Sequence, residues 1–233
     1  MKTYPIFALV ADKPCLVVGG GAVGERKVLD LRAAGAPVTV VSPGLTPTLA
    51  QLAARGEIQH LKEDFSPEHL TGMVLVFGAT DDPEVNAQVS AAAKARGLWV
   101  NIADAPELCT FIVPAQVRRG DLTLAISTGG ASPALARQLR VELENRLGPE
   151  YGPYLALLRE ARLRILQVRR GHPGNAALFT RLVASPLREA LAQKDREQVR
   201  RLVQEILGLV LTPVALEELV EQAFPKGPGE KSI

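Results

Sequence analysis

The sequence has two cysteines, one tryptophan and three histidines, and each scarcity closes a route. Cys15 and Cys109 stand far apart in apolar runs, so no disulfide framework is predicted and a reducing cytoplasm fits best. His60, His69 and His172 are scattered and add no ligand spacing for a tight transition-metal site, so no bound metal is expected. No apolar stretch approaches the roughly 18 residues of a membrane span. The N-terminal MKTYPIFALVADK has an early Asp and no small-residue cleavage pattern, so no signal peptide is read there. Neither nucleic acid nor a membrane is an expected partner.

Charge is scarce in total, at a formal +2, but it is unevenly placed. Residues 132–201 hold 14 Lys+Arg against 7 Asp+Glu, and 13 of the 14 are Arg. Residues 1–131 hold 11 against 13. A basic block behind a near-neutral front suggests an anionic partner for the second half, against the plainer reading of solvated helix faces.

Apolar runs and helical patterns alternate over the first hundred residues. CLVVGG (15–20), VTVVS (38–42), MVLVFGAT (73–80) and LWVNIA (98–103) are short and rich in β-branched residues, as strands buried on both faces are, and EIQHLKED (57–64) is a more polar strand. Helical spacing fills 22–35, 45–56 and 82–97, each ending in Gly. The pattern predicts a Rossmann-type, doubly wound parallel α/β sheet over 1–113. Beyond Phe111 a β-hairpin turning at RRGD and a helix opened by Ser132–Pro133 form a connector, 114–149. A small all-α domain is expected over 150–225 and a disordered tail over 226–233. VELENRL sets Val141 and Leu147 near one side of the connector helix, a surface suited to a second copy of the chain, so a homodimer is expected.

Directly after the first strand comes Gly19-x-Gly21-x-x-Gly24, opening a helix. Gly19 permits the tight turn, Gly21 lets backbone approach a pyrophosphate, and Gly24 lets helix and strand pack closely. Ala22 and Val23 place the helix N-terminus and its N–H groups at the phosphates. The second strand ends in Ser42-Pro43-Gly44, where a neutral hydroxyl can meet a ribose and no Arg awaits a 2′-phosphate, so NAD is preferred to NADP. Thr80 and Asn101, at the ends of later strands, complete the candidate cofactor residues.

Residues 97–117 contain no Lys, Arg or His, yet carry Asp104 near the end of the last strand. Beside the apolar FIV run this carboxylate is expected to be partly desolvated and poised for proton transfer. The competing reading is a turn residue, since D-A-P favours turns.

GGGAVGERK, VVSP, ATDDPEVN, VNIADAPELCTFIVPA and LAISTGGASPALAR, in that order over roughly residues 3–147, closely resemble the precorrin-2 dehydrogenase/sirohydrochlorin ferrochelatase family, which also forms the N-terminal portion of siroheme synthase. The resemblance implies NAD-dependent oxidation of precorrin-2 to sirohydrochlorin, Asp104 as the general base, and in many members insertion of Fe²⁺ as a second substrate. A tetrapyrrole carrying many carboxylates calls for backbone donors and Arg forks. Thr128, Gly129, Gly130, Ser132 and Arg137 are the candidate substrate residues. Thr128 is a departure, being serine in some relatives, and Ser42 is another. No methyltransferase pattern follows residue 147, so the chain is not expected to make precorrin-2 itself. A different class remains open: an NAD(H)-sensing regulatory module that binds the nucleotide without catalysis.

Overall fold

The computed structural model describes residues 2–224; the tail expected over 226–233 lies outside the described residues. The chain divides into two compact units, one of Thr3–Val113 and the other from Pro114 onward.

The first unit carries five parallel strands: β1 (Cys15–Val18), β2 (Val38–Val41), β3 (Gln59–Leu61), β4 (Leu75–Gly78) and β5 (Trp99–Ile102). They lie in the order β3-β2-β1-β4-β5. Helices α1 (Ala22–Ala33), α2 (Pro47–Ala54) and α3 (Pro83–Ala95) provide the crossovers. Successive side chains of a strand face opposite ways, and here each face is covered. Cys15 and Val17 join Val28, Val40, Leu49 and Phe77 in one core layer. Leu16 and Val18 join Val76, Val89, Val100 and Ile102 in the other. Burial on both sides is why these strands read as unbroken apolar runs. The sheet is the predicted doubly wound one, trimmed by a residue or two at the strand ends.

The helix starts follow local chemistry. Thr46 and Asp82 cap α2 and α3 by accepting backbone N–H bonds, each with proline at the next position. No side chain caps α1, whose N-cap is Gly21.

In the second unit β6 (Ala115–Arg119) and β7 (Leu122–Ile126) pair antiparallel, with Arg119 opposite Leu122. The turn is therefore only Gly120–Asp121, and both arginines of RRGD belong to the strand. Gly120 has φ 58, the positive value a two-residue hairpin needs at its first position. It also lies against the helix α5 (Tyr151–Val168): a Cβ on Gly120 would come within 2.8 Å of Gly152 Cα. The helix α4 (Pro133–Arg146) follows, capped by Ser132. Arg119 donates to the carbonyls of Glu144 (3.0 Å) and Leu147 (2.8 Å) at its far end, and Asp121 pairs with Arg159 on α5.

Helices α5 (Tyr151–Val168), α6 (Asn175–Ala184), α7 (Leu187–Ala192), α8 (Arg196–Leu207) and α9 (Pro213–Ala223) share one core around Leu157, Ile165, Leu187, Val203 and Leu219. On α8, Val199, Leu202, Val203 and Ile206 are buried at helical spacing. By contrast α4 buries only Ala136 and leaves Leu135 and Val141 exposed. Much of the basic block is neutralised locally: Arg140, Arg159, Arg164, Arg188, Arg196 and Arg200 each pair with a carboxylate. For these six the plainer reading of paired, solvated faces holds. Among the described residues no helix is long and apolar enough to cross a membrane.

Candidate active site

Strand order reverses between β1 and β4, and the carboxyl edge at such a switch point is where open α/β sheets take their ligands. The glycine turn sits there. Gly19 has φ 114, and a Cβ on it would overlap the Ala79 carbonyl. A Cβ on Gly24 would overlap the carbonyl oxygen of Gly19, so helix and turn can approach only as glycines. Gly21 differs: a Cβ there would meet nothing within 4 Å. Its backbone therefore faces open space at the uncapped N-terminus of α1, with Ala22 and Val23 forming the first turn. Open N–H groups and a helix dipole at such a turn favour an anion.

The middle glycine carries a constraint that the G-x-G-x-x-G spacing does not flag. A Cβ on Gly20 would collide with the Gly44 carbonyl and with Ser42 Oγ, which lies 2.9 Å away. The Gly20 N–H donates to Ser42 Oγ (3.0 Å), Ser42 Oγ donates to the Gly44 carbonyl (2.7 Å), and Thr46 N–H donates to the Gly20 carbonyl (3.0 Å). Ser42 is buried. Its hydroxyl thus clasps the glycine turn to the loop after β2, where the sequence suggested a ribose contact. Pro43 and Gly44 are the exposed residues of that loop.

Thr80 follows β4 and is locked to α3. Its backbone and hydroxyl donate to Asn86 Oδ1 (3.3 and 3.0 Å), and Asn86 Nδ2 returns a bond to the Thr80 carbonyl (2.9 Å). Asn101, the other candidate cofactor residue at a strand end, is buried, and its amide donates to the Phe111 carbonyl (3.0 Å). Its side chain is turned into the segment after β5, where it fastens that segment to the strand.

Asp104 stands in the turn that ends β5. Ala103 N–H still bonds across to Gly78, and Asp104 then takes φ 57, a left-handed conformation that Asp tolerates better than most residues. The turn is wrapped around Cys109. That sulfur accepts from the Ile102 N–H (3.2 Å) and lies 3.3 Å from the Ala105 carbonyl. The carboxylate is exposed, so the expected partial desolvation is not found; the turn carries it past the strand ends.

The cation that residues 97–117 lack arrives from α1. Lys27 is half-buried, with Nζ 5.6 Å from the centre of the Phe77 ring on β4. Burial, then neighbouring Arg26, pushes its ammonium below the usual lysine range, while Asp30, Asp104 and Cys109 pull it back up. Sequence reading missed this residue because 77 positions separate it from Asp104; its one signal is the GERK that follows the glycine turn.

In the second unit, Gly129 (φ 62) and Gly130 (φ 86) form consecutive left-handed positions before α4. Thr128 Oγ1 accepts from Ser132 N–H (3.0 Å) and donates to the Ser132 carbonyl (3.1 Å), while Ser132 Oγ accepts from Leu135 N–H. The N–H groups of Gly129, Ala131 and Ser132 are engaged within the loop, by Ser127 Oγ, the Thr128 carbonyl and Thr128 Oγ1. Arg137 is exposed one turn on and has no ion pair or hydrogen bond among the described residues.

A switch-point glycine turn on a parallel sheet defines a dinucleotide-binding protein of the Rossmann type. Residues 6–115 match the family model described as putative NAD(P)-binding, and residues 119–146 match that of the sirohaem biosynthesis protein central region. The siroheme synthase of Methylobacillus flagellatus is 45% identical over 208 residues, 89% of this chain and 44% of that protein. That of Thioalkalivibrio sulfidiphilus is 40% identical over 98% of this chain and 47% of that protein. The chain thus spans about half the length of the curated relatives it matches. A solved structure described as SirC, precorrin-2 dehydrogenase, matches with a TM-score of 0.76 at 29% identity, covering 88% of this chain and all of that one. The chain is thus similar to about half of each of these siroheme synthases and to the whole of this precorrin-2 dehydrogenase.

Proposed function

We propose that the chain oxidises precorrin-2 to sirohydrochlorin with NAD⁺. The observation that carries this reading is the pairing, within one unit, of the glycine cradle at Gly21 with the exposed Asp104 carboxylate, in a chain whose fold matches a precorrin-2 dehydrogenase from end to end of the latter. Bound NAD⁺ supplies a hydride acceptor. Gly19, Gly20 and Gly24 hold the turn that carries the diphosphate, and Ser42 fixes that turn from behind. When a ring carbon of the macrocycle gives up its hydride, a proton must also leave; Asp104 accepts it, and the product gains one double bond.

Thr128, Gly129, Gly130, Ser132 and Arg137 are proposed to hold substrate carboxylates, with the Arg137 guanidinium as the charged donor. The half-exposed apolar residues of the hairpin and α4 are proposed to be covered by a second copy of the chain. Fe²⁺ insertion into sirohydrochlorin is the proposed companion activity, with the iron as substrate; it requires a transient proton acceptor and no resident metal. Anaerobic incubation with precorrin-2 and NAD⁺, followed by NADH absorbance, tests the dehydrogenation. Tight NAD⁺ binding with no oxidation and no tetrapyrrole binding would assign the chain to the nucleotide-sensing class instead.

A further inference from the structure

Lys27 differs from the other cations of the first unit by its burial. Arg32 and Arg55 pair with Glu57, Lys94 donates to the Glu107 carbonyl, Arg96 bonds Ala92, and Lys13, Arg26 and Lys62 are exposed. Lys27 is half-buried and has neither an ion pair nor a hydrogen bond among the described residues. Its neighbour is the face of Phe77, itself held edge-on by Phe111 at 5.5 Å. A ring face attracts a cation but accepts no hydrogen bond of ordinary strength, so the ammonium keeps its N–H donors available to an anion.

Four anions come within consideration. Asp30 on the same helix and Asp104 are near enough for their charges to act on Lys27, yet neither forms a salt bridge with it, and Asp104 is exposed. The cofactor diphosphate is served by the backbone at Gly21, and Lys27 lies six residues further on, about 9 Å along the helix axis. It points across toward Phe77 on β4. The remaining anion is one carried by the molecule that Asp104 acts on. We propose that Lys27 binds a carboxylate of the tetrapyrrole substrate beside Asp104, and so fixes which ring carbon faces the base. The inference rests on the dehydrogenase reading above and adds to it a specificity contact in the nucleotide-binding unit, separate from the loop at 128–137. The lowered affinity of Lys27 for its proton fits a half-buried cation awaiting a counter-charge.

The test compares Lys27→Met and Lys27→Arg with the unaltered chain by three measurements: the Kd of NAD⁺, the Kd of sirohydrochlorin in the presence of NAD⁺, and anaerobic steady-state kinetics with precorrin-2. Loss of a charged hydrogen bond predicts a rise of about tenfold or more in precorrin-2 KM and sirohydrochlorin Kd for Lys27→Met. NAD⁺ affinity should stay within about twofold, which also certifies folding, and Lys27→Arg should recover part of the loss. Unchanged tetrapyrrole affinity in Lys27→Met, with the unaltered chain binding normally, overturns this inference alone. A weakened NAD⁺ Kd with unchanged tetrapyrrole affinity overturns it too, by giving the ammonium to the cofactor. If the unaltered chain binds no tetrapyrrole, the dehydrogenase reading itself fails and takes the inference with it.

Discussion

A Cβ on Gly24 would overlap the carbonyl oxygen of Gly19, five residues back in the same turn. The Cβ position is fixed by the backbone and the oxygen is part of it, so neither can yield by a rotamer change. Gly24→Ala should therefore destabilise the first unit toward the upper end of the roughly 1–3 kcal/mol of an overpacked core and weaken NAD⁺ binding with it. Denaturant unfolding with and without nucleotide measures both; a stable, tight-binding variant would refute the close approach.

Gly21 offers the opposite case, because a side chain there meets open space. Gly21→Asp should fold normally and lose NAD⁺ affinity by about 100-fold or more, since a carboxylate at a helix N-terminus competes with the diphosphate for the same N–H groups. Calorimetric titration decides the matter, and unaltered affinity would remove the cradle from this turn.

Ser42→Ala leaves the Gly20 N–H without its acceptor and the Gly44 carbonyl without its donor in a buried position. The expected loss is about 1–3 kcal/mol in stability. The effect should appear in the apo protein as well as in nucleotide binding. A change confined to nucleotide affinity would return Ser42 to a ribose contact.

Asp104→Ala should bind NAD⁺ within about twofold of the unaltered chain and lose dehydrogenation by about 10²–10⁴-fold, the usual range for a removed general base. Turnover close to that of the unaltered chain would assign Asp104 to the turn alone, where its φ of 57 already gives it a conformational reason to be present.

Cys15 is fully buried, and burial raises its thiol to about 11 from an ordinary value of 9.0. The neutral thiol is the form the fold favours, so this contribution is complete below about pH 9 and is lost as pH rises toward 11. Two units at about 1.4 kcal/mol each make the loss about 3 kcal/mol. Unfolding midpoints across that window should fall more steeply for the native chain than for Cys15→Ala. Parallel curves would contradict it.

The first unit was readable as far as it depends on neighbours in sequence. A strand such as Cys15–Val18, covered on both faces, leaves a continuous apolar run, and in the second unit Ser132 before Pro133 marks a helix start that the structure repeats. The short 3-10 turns at Pro67–Leu70 and Pro106–Leu108 lack any such periodicity and were not anticipated. The site was legible in its glycines and illegible in its supports. Whether the Ser42 hydroxyl faces a ligand or the Gly20 N–H depends on how two loops meet, and no local pattern records that. Lys27 and Asp104 come together only because α1 packs across β4, with the Lys27 ammonium set over the Phe77 ring.

The hairpin tip of the second unit is held in three ways: Gly120 against Gly152, Arg119 on the last carbonyls of α4, and Asp121 on Arg159 of α5. Peeling the hairpin away would break all of these at once. Deuterium uptake should accordingly report β6, β7, the end of α4 and the start of α5 as a single cooperative block. A rigid strut of that kind can carry a subunit contact without yielding to it.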